Sequence, residues 1–288
     1  MRPAYVNKEY LKAFIGQAIA EDIGEGDHST LSTIPEHLTG KARLKIKQNG
    51  IIAGIELALD IFEHIDPTLK VDLHAVDGRA VASGDVAFEV RGPVRSILSA
   101  ERLVLNCMQR MSGIATYTHY LGSLLEGTQT KILDTRKTTP NLRPLEKWAV
   151  VIGGGTNHRF ALYDMIMLKD NHVDYAGGIA AALKSANEYL KRTGKKLKIE
   201  IETRSLDEVR QVLSCGGAEI VMLDNMDTET MKEAVRLIGG KMQTEASGGI
   251  TESNLLAMAH TGVDFISVGA LTHSVKSLDM SLKAEIDK

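Results

Sequence analysis

The runs LKIEIE (197–202), EIVMLDN (219–225), QTEASGG (243–249) and DFISVGA (264–270) decide the fold. Each is short, mostly apolar and closed by polar or glycine residues, and their starts lie about 21 to 24 residues apart. That interval fits one strand, one helix and two short loops. Two more runs of this kind precede them, KILDTRK (131–137) and MIMLKDNH (165–172). The segments between are amphipathic. Ser205-Leu206-Asp207-Glu208 has a capping-box pattern ahead of Val209, Val212 and Leu213, and Thr251 can cap a helix carrying Leu255, Leu256 and Met258. Six strands joined by helices predict an α/β fold with a parallel sheet and right-handed crossovers, most simply a closed barrel. An incomplete or irregular barrel fits six strands equally well.

Before Gly113 the βα rhythm is missing. Asn7 to Ala20 reads as a helix with Leu11, Phe14, Ile15, Ala18 and Ile19 on one face, and a polar loop, EDIGEGDHST, follows. Strand-like KARLKIKQ, KVDLHAV and DVAFEV alternate with a helical GIELALDIFEHI, and Val94 to about Met111 is helical again. This mixture predicts an α+β module over 1–113 and the barrel over 114–273.

Composition narrows the function classes. The 288 residues carry a formal charge of −3, with 43% hydrophobic and 25% charged residues, which is ordinary for a globular chain and excludes a generally basic nucleic-acid binder. No apolar run approaches the roughly 20 residues of a membrane span, and the N-terminus lacks the apolar stretch of a secretion signal. Cys107 and Cys215 are far apart and show no metal-ligand spacing. A cytoplasmic location is expected.

In a parallel barrel the strand C-termini share one face, where active sites lie. The strand ends present Asp134, Arg136 and Lys137, then Lys169, Asp170, Asn171 and His172, then Glu200 and Glu202, Asp224 and Asn225, Ser247, Gly248 and Gly249, and finally Gly269. Cations come first, carboxylates next, small residues last. From Lys131 to His172 seven basic residues face four acidic ones, a positive cluster in an acidic chain, which points to a small anionic ligand. Arg136, Lys137, Arg159 and Lys169 are the functional candidates; Arg143 and Lys147 are expected simply to face water. His158 can donate to an anion, whereas His172 reads as a strand end. Glu202 and Asp224 can hold a hydrated divalent cation or sugar hydroxyls. Their alternative is helix capping, which suits Asp224 better than Glu202. Glu200 and Glu202 fall on the same side of one strand, so spacing does not choose between them. EASGG and SVGA end the last two strands, where barrel loops often bind phosphate through backbone N–H groups. Gly153, Gly154 and Gly155 form a turn after a helix containing Trp148 and Val151 and lack the strand–helix context of a dinucleotide fingerprint.

The runs ERLVLN, DTRKTTPNLRPLEKWAVVIGGGTNHR, KDNH, EIE, VMLDN, EASGGI and ISVGALTHS together resemble the quinolinate phosphoribosyltransferases, the carboxylating nicotinate-nucleotide pyrophosphorylases. The match runs from EDIGEGDHST to Ser274, with His28 its one unexpected residue. The resemblance implies an N-terminal α/β sandwich over 1–113, joined by residues 274–288, and an irregular open α/β barrel of about seven strands. It implies a pentosyltransferase of NAD biosynthesis that converts quinolinate and phosphoribosyl pyrophosphate to nicotinate mononucleotide, pyrophosphate and CO₂ with Mg²⁺. It also implies a homodimer or an assembly of dimers, with Arg102 reaching the neighbouring site. By the same resemblance Arg102, Arg136, Lys137, His158, Arg159 and Lys169 contact quinolinate. Glu202 and Asp224 serve the metal, directly or through water, and the ribose. Ser247, Gly248, Gly249, Gly269 and Ala270 bind phosphate, and Lys137 is the candidate proton donor to C2. Three alternatives differ in chemistry: a relative acting on another anionic substrate, a Schiff-base aldolase using Lys169, and a non-enzymatic anion-binding barrel. Borohydride trapping would mark the second, and binding without turnover the third.

Overall fold

The computed structural model describes residues 2–285, which divide into two compact units. The first takes the chain up to His119, Thr138–Gly154 and the chain from Leu271 onward; the second takes Tyr120–Lys137 and Gly155–Ala270. Of the C-terminal stretch expected to join the N-terminal module, 286–288 lie outside the described residues.

In chain order the elements begin with α1 (Lys8–Asp22), α2 (His28–Thr33), β1 (Thr39–Ile46), β2 (Gly50–Ile51), α3 (Ile55–Ile65), β3 (Lys70–Leu73), β4 (Ala80–Val81), β5 (Val86–Pro93) and α4 (Val94–Ser123). The next are β6 (Lys131–Leu133), α5 (Arg143–Ile152), β7 (Ile166–Leu168), α6 (Asp170–Ala176), α7 (Ile179–Thr193), β8 (Ile199–Thr203) and α8 (Leu206–Cys215). The last are β9 (Ile220–Asp224), α9 (Thr228–Ile238), β10 (Gln243–Ser247), α10 (Glu252–Ala259), β11 (Phe265–Ser267), α11 (Ala270–His273) and β12 (Met280–Glu285).

In the first unit an antiparallel sheet runs β12-β1-β5-β3. Strand β1 alternates as a half-buried strand must, with Ala42, Leu44 and Ile46 buried. Helix α3 buries Leu57, Ala58, Ile61 and Phe62. Phe62 meets Phe88, the β5 partner of Leu44, edge-on with ring centroids 5.7 Å apart, a contact that adds about 0.5–1.5 kcal/mol beyond area burial. The loop expected at EDIGEGDHST is shorter than its polarity suggests. Asp27 accepts from the Thr30 N–H at 3.0 Å and starts α2 there.

Residues 138–154 belong to this unit, although the sequence places them in a barrel spanning 114–273. The physical reason is α5. Its buried Glu146 accepts from Arg110 of α4, at 3.1 Å from Nε and 2.8 Å from Nη2, and from the Thr139 N–H at 3.0 Å. Lys147 is fully buried and does not face water as expected; Trp148 beside it is equally buried. Arg143 is half-buried and donates to Thr138 at 3.0 Å.

The second unit holds one parallel sheet, β6-β11-β10-β9-β8-β7. All six runs expected as strands pair, and the sheet stays open because β6 and β7 are its edges. An isolated parallel bridge from Leu133 to Thr156 extends it by one residue beyond β6. The interior strand β8 is buried at every position, as a strand covered on both faces should be. Helix starts follow the expected chemistry with one exchange. Ser205 caps α8 by accepting from the Glu208 N–H at 3.3 Å, but the Glu208 carboxylate accepts from Arg204 N–H at 2.6 Å. Thr251 and Asn254 pair at the start of α10, with Thr251 N–H donating to Oδ1 at 2.8 Å.

Within the first unit, a Cβ on Gly113 would fall on the Lys276 carbonyl oxygen, which is backbone and cannot rotate away. Gly113→Ala is therefore expected to lower the unfolding free energy by about 1–3 kcal/mol. Urea denaturation of the two proteins checks this, and an unchanged midpoint would rule out the close approach.

Candidate active site

Parallel pairing puts the chemistry on one face of the second unit's sheet. Glu202 is in register with Met222, and Met222 with Glu245; one step toward the strand ends, Asp224 is in register with Ser247. In-register residues of neighbouring strands face the same way, and alternation adds Glu200 to that face. Four carboxylates thus share one surface of three adjacent strands.

The loops after β6 and before β7 bring cations to it. Asp134, fully buried just past β6, accepts from Asn157 Nδ2 at 2.6 Å and from the His158 N–H at 2.9 Å, which anchors the segment carrying His158 and Arg159. His158 Nε2 lies 2.8 Å from Glu200 Oε2 and 3.3 Å from Glu245 Oε2. Burial opposes charge on the imidazole, but the two carboxylates outweigh it and raise His158 above the usual histidine range. Burial likewise pushes Glu200 up to about 7. Arg159 donates to the Met165 carbonyl at 3.3 Å, and burial followed by the nearby Arg136 lowers its guanidinium below the usual arginine value. Arg136 Nε is buried without a hydrogen-bond partner among the described residues. Two guanidinium groups are therefore crowded together with donor capacity in reserve.

Beside them lies the acidic half. Lys169, half-exposed at the end of β7, stands 3.8 Å from Glu202. Burial, and then Asp224, raise the Glu202 carboxyl above the usual range. Its Oε2 is buried with no hydrogen-bond partner among the described residues. Neither carboxylate caps a helix, because Ser205 and Asp227 do that for α8 and α9. Asn225 Nδ2 donates to Asp224 Oδ2 at 2.6 Å, and Asn225 adopts a left-handed φ of 53° to do so. Lys137 is exposed after β6, its N–H turned onto Thr135 Oγ1 at 3.0 Å. His172 lies inside α6 and does not end a strand; its Nδ1 accepts from the Lys169 N–H at 3.0 Å. Gly249 follows β10 with a carbonyl that accepts from Asn254 at 2.9 Å, and Gly269 and Ala270 lead into the short α11. In the first unit, Arg102 stands exposed on α4.

Family models match both parts of the chain: "Quinolinate phosphoribosyl transferase, N-terminal domain" over residues 27–112 and "Quinolinate phosphoribosyl transferase, C-terminal domain" over 114–283. The chain belongs to the quinolinate phosphoribosyl transferase family. It is 48% identical to the chloroplastic nicotinate-nucleotide pyrophosphorylase [carboxylating] of Arabidopsis thaliana, over 96% of this chain and 83% of that one. It is 43% identical to the probable nicotinate-nucleotide pyrophosphorylase [carboxylating] of Bacillus subtilis, over 96% and 94%. The crystal structure of NadC from Streptococcus pyogenes superposes with a TM-score of 0.92 at 38% identity, covering 96% of this chain and 97% of that one. The open α/β sheet with a separate antiparallel sheet is thus this family's fold.

Three residues of this family member escape a reading confined to strand ends. Glu245 lies mid-strand, Asp134 is hidden beneath its loop, and Asn225 shows only as the residue after Asp224. The signal for Glu245 was available: a glutamate inside a strand otherwise closed by SGG has to be buried. Gly248 has a local reason to be glycine. It sits at φ 91°, and a Cβ there would fall on the Asn225 amide oxygen. Gly248→Ala is expected to cost about 1–3 kcal/mol of stability. Adding Asn225→Gly should recover part of that loss, because the collision disappears while the backbone strain stays. Denaturation of the single and double variants checks this; equal losses would refute the contact.

Proposed function

We propose that this chain transfers the phosphoribosyl group of phosphoribosyl pyrophosphate to quinolinate with decarboxylation, yielding nicotinate mononucleotide, pyrophosphate and CO₂ in NAD biosynthesis. The observation that carries the reading is the pairing of like charges on one sheet face: Arg136 with Arg159, and Glu202 with Asp224. The first pair suits a ligand with two adjacent carboxylates, which planar guanidinium groups bind bidentately. Lys169 and His158 complete that cationic wall, and Arg102 of a second copy is placed here as a further contact in a homodimer.

The second pair suits a divalent cation. Two carboxylates raised by burial and by each other, one with an unpartnered buried oxygen, form a donor set that Mg²⁺ fits, directly or through water. When bound, Mg²⁺ neutralises charge on the departing pyrophosphate. The protein's own groups do the rest. The cations hold the pyridine dianion so that its ring nitrogen faces the sugar's C1. Glu202 and Asp224 lie where positive charge grows on the ribose, and preorganised charge of this kind is usually the largest catalytic contribution. Ser247, Gly248, Gly249, Gly269 and Ala270 are assigned to phosphate. Once N-glycosylated, the pyridinium absorbs the electrons left as the C2 carboxylate departs, and Lys137 is assigned the proton that replaces it. No nucleophile is needed. A cytoplasmic location belongs to the same proposal, in keeping with two unpaired cysteines; no helix among the described residues is long and apolar enough to cross a membrane.

The deciding assay is pyrophosphate and CO₂ release that requires both quinolinate and phosphoribosyl pyrophosphate; release without quinolinate would overturn the assignment. Arg136→Ala and Arg159→Ala are each expected to weaken quinolinate binding by about 2–5 kcal/mol, measured by calorimetry. Asp224→Asn should mainly raise the KM for Mg²⁺–phosphoribosyl pyrophosphate. For the shared site, inactive Arg102 and Lys169 variants mixed as verified heterodimers should regain activity, and no recovery would reject a contribution from the second copy.

A further inference from the structure

Glu200 and Glu245 lie on the active face, yet the proposed reaction gives them no task. Both are buried, at 0% and 1% side-chain exposure, and none of their four oxygens has a well-aligned hydrogen-bond partner among the described residues. Burying two such carboxylates costs several kcal/mol unless something answers their charge. What answers it is the His158 imidazole edge, at 2.8 Å from one and 3.3 Å from the other.

The same three side chains have donor atoms close enough together to suggest a metal site. The ring's other nitrogen argues against one. The Arg159 N–H donates to His158 Nδ1 at 2.7 Å. An imidazole that accepts at Nδ1 carries its proton on Nε2. Nε2 therefore presents a hydrogen to the carboxylates and offers no lone pair to a cation.

We infer that Glu200 and Glu245 are positioning residues. As a buried carboxylate pair they clamp the Nε2–H edge of His158 and fix the ring, and through its Nδ1 they fix the backbone of Arg159, so that the cationic wall is set before the dianion arrives. This rests on the proposed function for its substrate, but the clamp is a property of the protein alone. Glu200 and Glu245 reach the ring from two strands separated by β9, so the ring is held from two directions. Arg159 takes its bearing from three points: the His158 ring, the Met165 carbonyl, and the Asp134 anchor one residue earlier.

The test uses the isosteric variants Glu245→Gln and Glu200→Gln in the full chain. Each should raise the quinolinate KM about tenfold, the equivalent of one lost charge-assisted contact, with kcat and the phosphoribosyl pyrophosphate KM within about threefold. In a His158→Gln background the Glu245→Gln effect should vanish, because a clamp acts only through what it holds; an undiminished effect there would overturn the inference. The readout independent of turnover is ¹⁵N NMR of the histidine rings, with His158 identified by its loss in His158→Gln. Its Nε2-protonated signature should be single in the wild type and become a tautomer mixture in either glutamine variant. Unchanged ring signals in both variants, or a tightly held metal ion lost on His158→Gln, would also overturn it. If the wild type shows no quinolinate-dependent turnover while the ring signals still respond, the functional reading fails and the clamp stands.

Discussion

The structure depends on holding like charges together without letting them disperse. Two unit charges about 4 Å apart repel by about 4 kcal/mol at an effective dielectric of 20, and the active face contains two such crowded sets. Arg136 depresses Arg159, and Asp224 raises Glu202. A loop-borne site would relax by swinging the side chains apart. Here β8 and β9 are hydrogen-bonded strands of a sheet buried on both faces, and Arg159 is pinned through the backbone anchors at Asp134 and Met165. Repulsion that cannot relax is relieved when a ligand of opposite charge arrives, so the affinity for a dianion and for a dication is partly built before either binds.

Sheet register then keeps the sets from neutralising one another. Glu202 and Glu245 flank Met222 in one row, so an apolar side chain separates the carboxylate that stands beside Asp224 from the one that faces His158. Glu200 and Glu202, two residues apart on one face, consequently have different partners. Depth divides them: Glu200 is wholly buried against an imidazole, while Glu202 lies nearer the strand end with Lys169 at 3.8 Å. A single strand supplies both a structural and a chemical carboxylate because each two-residue step along it changes the neighbours on the flanking strands.

The strands were legible in the sequence because glycine and polar punctuation after each apolar run is a local signal, and the six runs from Lys131 to Ala270 all pair. The cations and the two outer carboxylates were legible for the same reason, as strand-end residues. Long-range packing was not. Lys147 looked like a solvated lysine on an amphipathic helix, but α5 is drawn into the first unit by the Arg110–Glu146 bonds, which join residues 36 apart in the chain. Spacing could not separate Glu200 from Glu202, since both point the same way and only the loop that delivers His158 distinguishes them. That loop comes from residues 155–165, outside the strand on which the choice was posed.

Gly248 shows how a correct residue can be chosen for an incomplete reason. A glycine after a barrel strand suits phosphate because backbone amides can approach closely. Yet its immediate constraint is the Asn225 side chain, which occupies the place of the missing Cβ and reaches Asp224 at 2.6 Å. Asn225 in turn accepts a left-handed backbone, tolerable for asparagine and costly for most other side chains. The glycine loop of β10 and the acidic end of β9 are therefore one unit: the absence of a side chain on one strand makes room for the amide that orients the carboxylate on the next. A phosphate seated on that loop would meet backbone whose conformation is already set by the carboxylate's support, and in this way the anion-binding and cation-binding halves of the site are linked through a single side chain.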